Sequence, residues 1–247
     1  MRFTILTLNP GFFEGPLGEG MIRIGREKGI VDVALIQIRD FAIDKYGTTD
    51  DYPYGGGAGM VMKVDTIARA YESVVDAVPG SKPRVLVTSP QGRVFDQRYA
   101  RELAAEGHVL VVCGRYKGID ERVIPTIEAE EVSIGDYVLS GGEPAALVIL
   151  DALSRLQEGV LGHAESAEAD SFSEALLDAP VYTRPEEFRG LKVPDVLLSG
   201  NHEQIRIWRR REAIRRTLQK RPDLIRERVW SAEDRKLLNE IEKEAGR

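Results

Sequence analysis

The chain has 247 residues, 43% hydrophobic and 30% charged, which fits one large soluble domain or two modest ones and excludes a disordered chain. No run approaches the roughly 20 apolar residues a membrane-crossing helix needs, and the net charge of −6, averaged over the chain, argues against a nucleic-acid partner. One cysteine, Cys113, rules out an internal disulfide framework and implies a reducing cytoplasm; with three scattered histidines it also argues against structural zinc.

The opening MRFTILTLNPGFFEG carries one basic residue and a polar break too early for a secretory signal. Candidate strands lie at 3–8, 31–38, 84–88, 108–113 and 131–134. They are nearly continuous runs of Val, Ile and Leu, as strands buried on both faces of a parallel sheet should be. Helical patterns fall between them. Asp65 is placed to cap TIARAYESVVDAV, and Asp96 to cap QRYARELAAE, which stops at Gly107. A last helix at about 144–156 is apolar around most of its circumference and should be buried. This alternation predicts an α/β domain over residues 1–160.

Residues 161–175, GHAESAEADSFSEAL, hold no core-building run and read as a linker. Residues 176–247 read as a small helical domain punctuated by Pro185, Pro194 and Pro222, without a strong strand. In its main helix, about 202–219, Ile207, Ile214 and Leu218 share one face. Arg206, Arg209, Arg216 and Lys220 form a separate stripe. Residues 202–228 contain ten Lys or Arg against four Asp or Glu, leaving −12 for the rest of the chain. The average charge therefore hides a basic segment suited to phosphate contacts.

Three glycine-rich segments follow candidate strands: SPQGRVFD (89–96), CGRYKGIDER (113–122) and SIGDYVLSGGEP (133–144). Loops at the carboxyl ends of neighbouring parallel strands converge on one crevice, and glycines there let backbone approach a ligand. Any one of them would serve as an ordinary turn; three in series point to a ligand. No G-x-x-x-x-G-K-[ST], no G-x-G-x-x-G between strand and helix, and no G-x-S-x-G is present. YGGGAGMVMK is therefore not a P-loop, and Cys113, ending an apolar strand, reads as a packed thiol.

SPQGR, CGRYKGIDER, SIGDYVLSGGE, the DSF of 170–172, LLDAPVYTRP and SGNHEQIRIWR occur in this order. Together with GGGAGMVMK they closely resemble the bacterial tRNA (guanine-N1)-methyltransferases, which modify the guanine 3′ of the anticodon. The resemblance covers nearly the whole chain and thins after about Arg228. It implies a SPOUT-type domain with a C-terminal trefoil knot, which periodicity could not have suggested. It also implies an obligate homodimer with active sites at the subunit interface, binding S-adenosylmethionine and a tRNA anticodon stem-loop.

Carried over residue by residue, the cofactor site comprises Thr88, Ser89, Pro90, Gly114, Tyr116, Gly118, Ser133, Ile134, Gly135, Tyr137, Leu139, Gly141 and Gly142, with Gly59 beside it. Asp170 matches the family's general base and Arg155 the arginine facing guanine O6. Without the resemblance, Asp170 reads as a helix N-cap and Arg155 as a cation near a helix C-terminus. The basic stripe becomes the RNA contact. One residue departs from the pattern: Lys117 stands where the family usually has a glutamate associated with the cofactor's methionine end and with magnesium. A lysine cannot bind Mg²⁺, so weaker magnesium dependence is expected, and no metal ligand is assigned beyond Asp178 of LLDAP, which matches another acidic position. Methylation of a different RNA atom, or non-catalytic RNA binding, are the alternatives.

Overall fold

The structure is a computed structural model that describes residues 1–78, 80, 82–161, 171–172, 174–226 and 228–244. It divides into two compact units, Met1–Ala164 and Glu165–Arg247. Among the described residues no helix is long and apolar enough to cross a membrane.

The first unit is built on a five-stranded parallel sheet. Its strands are β1 (Arg2–Thr7), β2 (Asp32–Gln37), β5 (Arg84–Val94), β6 (His108–Val112) and β8 (Glu130–Ser133), in the order β2-β1-β6-β5-β8. The central strands are buried along their lengths, which explains their unbroken Val/Ile/Leu composition. One face packs on helices α1 (Gly20–Glu27), α3 (Gln97–Ala104) and α5 (Glu143–Arg155) through Phe3, Ile5, Val111, Tyr99 and Leu150. The other packs on α2 (Val64–Ala77) and α4 (Val123–Thr126) through Leu6, Ile67, Leu110 and Ile127. A small sheet of two-residue strands, β3 (Asp50–Asp51), β4 (Val61–Met62) and β7 (Gly118–Ile119), escaped the sequence reading, as did α1. Runs this short carry no period to detect.

Several local expectations change. Asp96 does cap α3, accepting from the Tyr99 amide at 2.8 Å. Asp65 does not cap α2: the helix starts at Val64, two residues before the expected Thr66, with Lys63 at its N-cap, and Asp65 sits in its first turn, where a carboxylate favours the helix dipole. SPQGR is not a loop leaving a finished strand. β5 runs on to Val94, and 89–92 bulge from it, because β8 pairs with Leu86–Thr88 and then resumes with Arg93 and Val94. Helix α5 is not buried all round, since Val148 is 48% exposed.

In the second unit, α6 (Asp195–Leu198), α7 (His202–Lys220) and α8 (Ala232–Glu244) follow a two-residue hairpin, β9 (Glu187–Phe188) with β10 (Leu191–Lys192), which the sequence did not announce. Asn201 caps α7 by accepting from the Gln204 amide. The core gathers Leu176, Ile214, Leu237 and Ile241 with Leu218 and Trp230 around it. Ile207, expected on that apolar seam, is exposed instead; Thr217 is buried in the same helix, its hydroxyl donating to the Ala213 carbonyl and accepting from the Leu177 amide.

Candidate active site

The carboxyl ends of β6 and β8, with residues 87–91 of β5 and its bulge, open into a cavity of about 1280 Å³. Every residue expected at the cofactor site lines it except Gly59. Gly59 lies close by: its backbone has φ +93°, and a Cβ there would sit 3.4 Å from Cβ of Lys117, which is in the lining.

The loops are knitted together at backbone distance. Thr88 Oγ1 accepts from the Gly114 amide at 3.1 Å and donates to the Val112 carbonyl at 3.3 Å. The Gly142 amide donates to the Gly114 carbonyl at 2.8 Å, and Arg115 forms a bridge with Gly141. No side chain fits at Gly142: a Cβ would fall 2.1 Å from Thr88 Oγ1 and 2.8 Å from both Cys113 Cα and the Gly114 nitrogen. Gly135, at φ +142°, turns the third loop, which Ser133 Oγ and the Tyr137 hydroxyl brace through the backbone of residues 134–135. Tyr116 is held at φ +61°, an uncommon conformation for an aromatic residue and one that collects at ligand-binding sites.

Behind the cavity lies a buried carboxylate that the sequence reading passed over. Glu143, fully buried at the start of α5, accepts on Oε1 from Thr7 Oγ1 (2.8 Å), Asn9 Nδ2 (3.1 Å) and Arg115 Nε (3.2 Å). Burial opposes its ionisation, but hydrogen bonds from Asn9, Thr7 and Arg115 outweigh it and hold the carboxyl below its usual value. Glu143 thereby ties the end of β1 to the second and third loops. The available signal was an acidic residue at the first turn of a helix otherwise built for burial. Cys113 is fully buried, and burial, reinforced by the Glu143 carboxylate, pushes its thiol well above the ordinary range. It stays protonated and packed, not poised as a nucleophile.

Arg155 ends α5 and does not line the cavity, which meets α5 at its opposite end through Gly142 and Ala145. Twelve helical steps separate Glu143 from Arg155, roughly 18 Å along the axis. Asp170 lies outside the described residues. Asp178 is exposed in the second unit, its Oδ1 accepting from the Ala179 amide. Among the described residues no group of three or more His, Cys, Asp or Glu is arranged to hold a metal ion.

The basic stripe is uneven. Arg206 is engaged by Glu203 (2.8 Å) and by Glu233 of α8 (2.5 Å). Arg216 points a nitrogen at the Asp178 carbonyl at 3.4 Å. Arg209 and Lys220 are exposed, with no ion pair among the described residues. The intervening Arg210, Arg211 and Arg215 bind acidic residues, with Arg210 forming a two-pronged pair to buried Asp234 at 2.7 and 2.9 Å.

Comparison with known proteins matches residues 1–227 to the family model of tRNA (Guanine-1)-methyltransferase TrmD. The chain is similar to the tRNA (guanine-N(1)-)-methyltransferase of Geobacter metallireducens, at 55% identity over the whole of both chains. It is 56% identical to the protein of that name from Citrifermentans bemidjiense, across 98% of this chain and 97% of the relative. For the one from Persephonella marina the identity is 50%, across 98% and 95%. Similarity this high, sustained from end to end and embracing all three cavity loops, makes the chain a member of the tRNA (guanine-N1)-methyltransferase family.

Proposed function

We propose that the protein methylates N1 of guanine 37, 3′ of the anticodon in tRNA, with S-adenosylmethionine bound among the three cavity loops. The observation that carries this reading is their convergence on one cavity in a chain of this family. The cavity suits the cofactor. Glycines 114 and 142 let the loops pack at backbone distance, and Ile134, Leu139 and Tyr137 supply apolar surface for the faces of a purine. When bound, S-adenosylmethionine presents a methyl group on a sulfonium, already activated for transfer.

The chain's own task is to prepare the nucleophile. Guanine N1 carries a proton and attacks poorly until that proton leaves. Asp170 acts as the general base, and Arg155 stabilises the negative charge that develops on O6. Arg155 stands ten helical steps, roughly 15 Å along α5, from Ala145 in the cavity lining of its own chain, beyond the reach of one side chain. That separation supports a homodimer in which one copy's Arg155 serves the other's cavity. The half-exposed Val148 of α5 and the 95% exposed Val138 supply apolar surface for such an interface.

Close passage of 131–135 and 141–142 against 88–95 and 113–115 supports a knotted SPOUT-type arrangement. Residues 1–160 form the cofactor domain, 161–175 the linker with the base, and 176–247 the tRNA-binding domain, with Arg206, Arg209, Arg216 and Lys220 toward RNA phosphates. A flipped guanine is required, because the base edge is inaccessible inside a stack. Lys117 brings an ammonium into the lining, which supports weaker magnesium dependence, and no step is assigned to the ion.

The test is methylation of tRNA transcripts with and without guanine 37, mapping the modified atom by nuclease digestion and mass spectrometry. N1-methylguanine at that position is expected. Methylation of a ribose or another base atom would refute the assignment. Asp170→Ala should lower turnover by about 10²–10⁴-fold while tRNA and cofactor still bind; wild-type turnover would remove Asp170 from the mechanism.

A further inference from the structure

The charges that line the cavity are nearly balanced, with five acidic and four basic side chains. Three of the four cations are already committed. Lys63 faces Asp65 at 3.9 Å, Arg115 binds Glu143, and Arg122 grips Asp120 at 2.7 Å. The fourth, Lys117, has no carboxylate within ion-pair range among the described residues. Its place is fixed by backbone: its amide donates to the Met60 carbonyl at 3.0 Å, just before β7 pairs with β4. Its side chain lies along the glycine loop, with Nζ 3.3 Å from where a Cβ on Gly57 would stand, and Gly57 and Gly59 both adopt positive φ. A Cβ at Gly57 would press on the ammonium, and one at Gly59 would touch the lysine stem at ordinary contact distance.

We infer that Lys117 is a specificity-determining residue that binds the carboxylate at the amino-acid end of the cofactor, making this subsite depend on a side-chain cation rather than on a divalent ion. The inference rests on the cofactor reading above. A cavity with balanced lining charge suits a zwitterion better than a polyanion, which would require a surplus of positive charge. The same small sheet carries the complementary charge. Asp51 lies opposite Val61, which lies opposite Gly118, so Asp51 and Lys117 flank one short strand. Asp51 lines the cavity too, and among the described residues its carboxylate accepts only from the neighbouring Tyr52 amide.

The test compares two ligands by calorimetry in EDTA. S-adenosylhomocysteine carries the amino-acid end, whereas 5′-methylthioadenosine lacks it. Lys117→Met should weaken S-adenosylhomocysteine about tenfold, the size of one charge-assisted contact, and leave 5′-methylthioadenosine unchanged. Lys117→Arg should retain most of the affinity. Lys117 is exposed, so both variants should melt with the wild-type protein. Equal weakening of both ligands, or of neither, would overturn the assignment, as would a wild-type requirement for Mg²⁺ in binding. Weaker tRNA binding with unchanged S-adenosylhomocysteine affinity would transfer Lys117 to the RNA and also overturn it. A wild-type protein that binds neither ligand would instead defeat the cofactor reading itself, and Lys117's role with it.

Discussion

Gly142→Ala probes the closest approach in the cavity wall. The glycine has φ −81° and ψ −9°, so alanine is not excluded by backbone conformation, and its effect is steric. The new methyl would stand 2.1 Å from Thr88 Oγ1, which can rotate, but also 2.8 Å from Cys113 Cα and the Gly114 nitrogen, which cannot. Overpacking against fixed atoms costs about 3 kcal/mol, the upper part of the usual range. Alanine returns up to about 1 kcal/mol by restricting the unfolded chain. The net loss is about 2 kcal/mol, which lowers the melting midpoint by roughly 4–8 °C for a domain of this size. Because the displaced atoms carry the second and third loops, S-adenosylhomocysteine affinity should fall with stability. Adding Thr88→Ala removes the nearest contact but neither backbone one, so it should recover only part of the loss. Gly107→Ala is the control, with open space around its Cβ position and no positive φ. Calorimetric melting and ligand titration read both quantities. A Gly142→Ala protein that melts and binds as wild type would refute the close-approach argument.

Two further predictions concern the second unit. Asp234 is 2% exposed, and hydrogen bonds from Arg210 hold its carboxyl below the ordinary range. Asp234→Asn should cost about 2–3 kcal/mol by leaving a half-buried guanidinium poorly paired. Since the folded value is the lower one, this stabilisation is complete above the unfolded carboxylate pKa near 4. It disappears as pH falls through the lower folded value, so wild type and variant should converge in acid melts. A constant gap down to pH 2 would contradict this. In the stripe, Arg209→Ala should weaken tRNA binding more than Arg206→Ala and reduce the salt slope by about 1, because Arg206 already holds Glu203 and Glu233. A larger effect at Arg206 would mean that RNA displaces those carboxylates.

The alternation of apolar strands and capped helices in the first 160 residues was enough to specify a parallel α/β sheet, because burying both sheet faces leaves its mark on every strand residue. The glycine loops were legible for a related reason: backbone approach excludes side chains, and that exclusion is written in composition. Motif order supplied the family, and with it a use for the cavity. Tertiary structure decided what has no local signal. Asp65 yields the cap position because the helix begins earlier than its polar residue suggests, and 89–92 bulge because β8 pairs on either side of them. Ile207 belongs to the apolar stripe of its helix, yet the second unit's core passes it by. The basic stripe looked uniform in sequence, whereas Glu233, distant along the chain, pairs with Arg206, and Arg209 has no ion pair among the described residues. Glu143 and Lys117 are the sharpest cases: one carboxylate is held by three partners, and one ammonium meets no carboxylate among the described residues. Sequence fixes which charges exist, and only the packing of distant segments determines which of them remain unpaired.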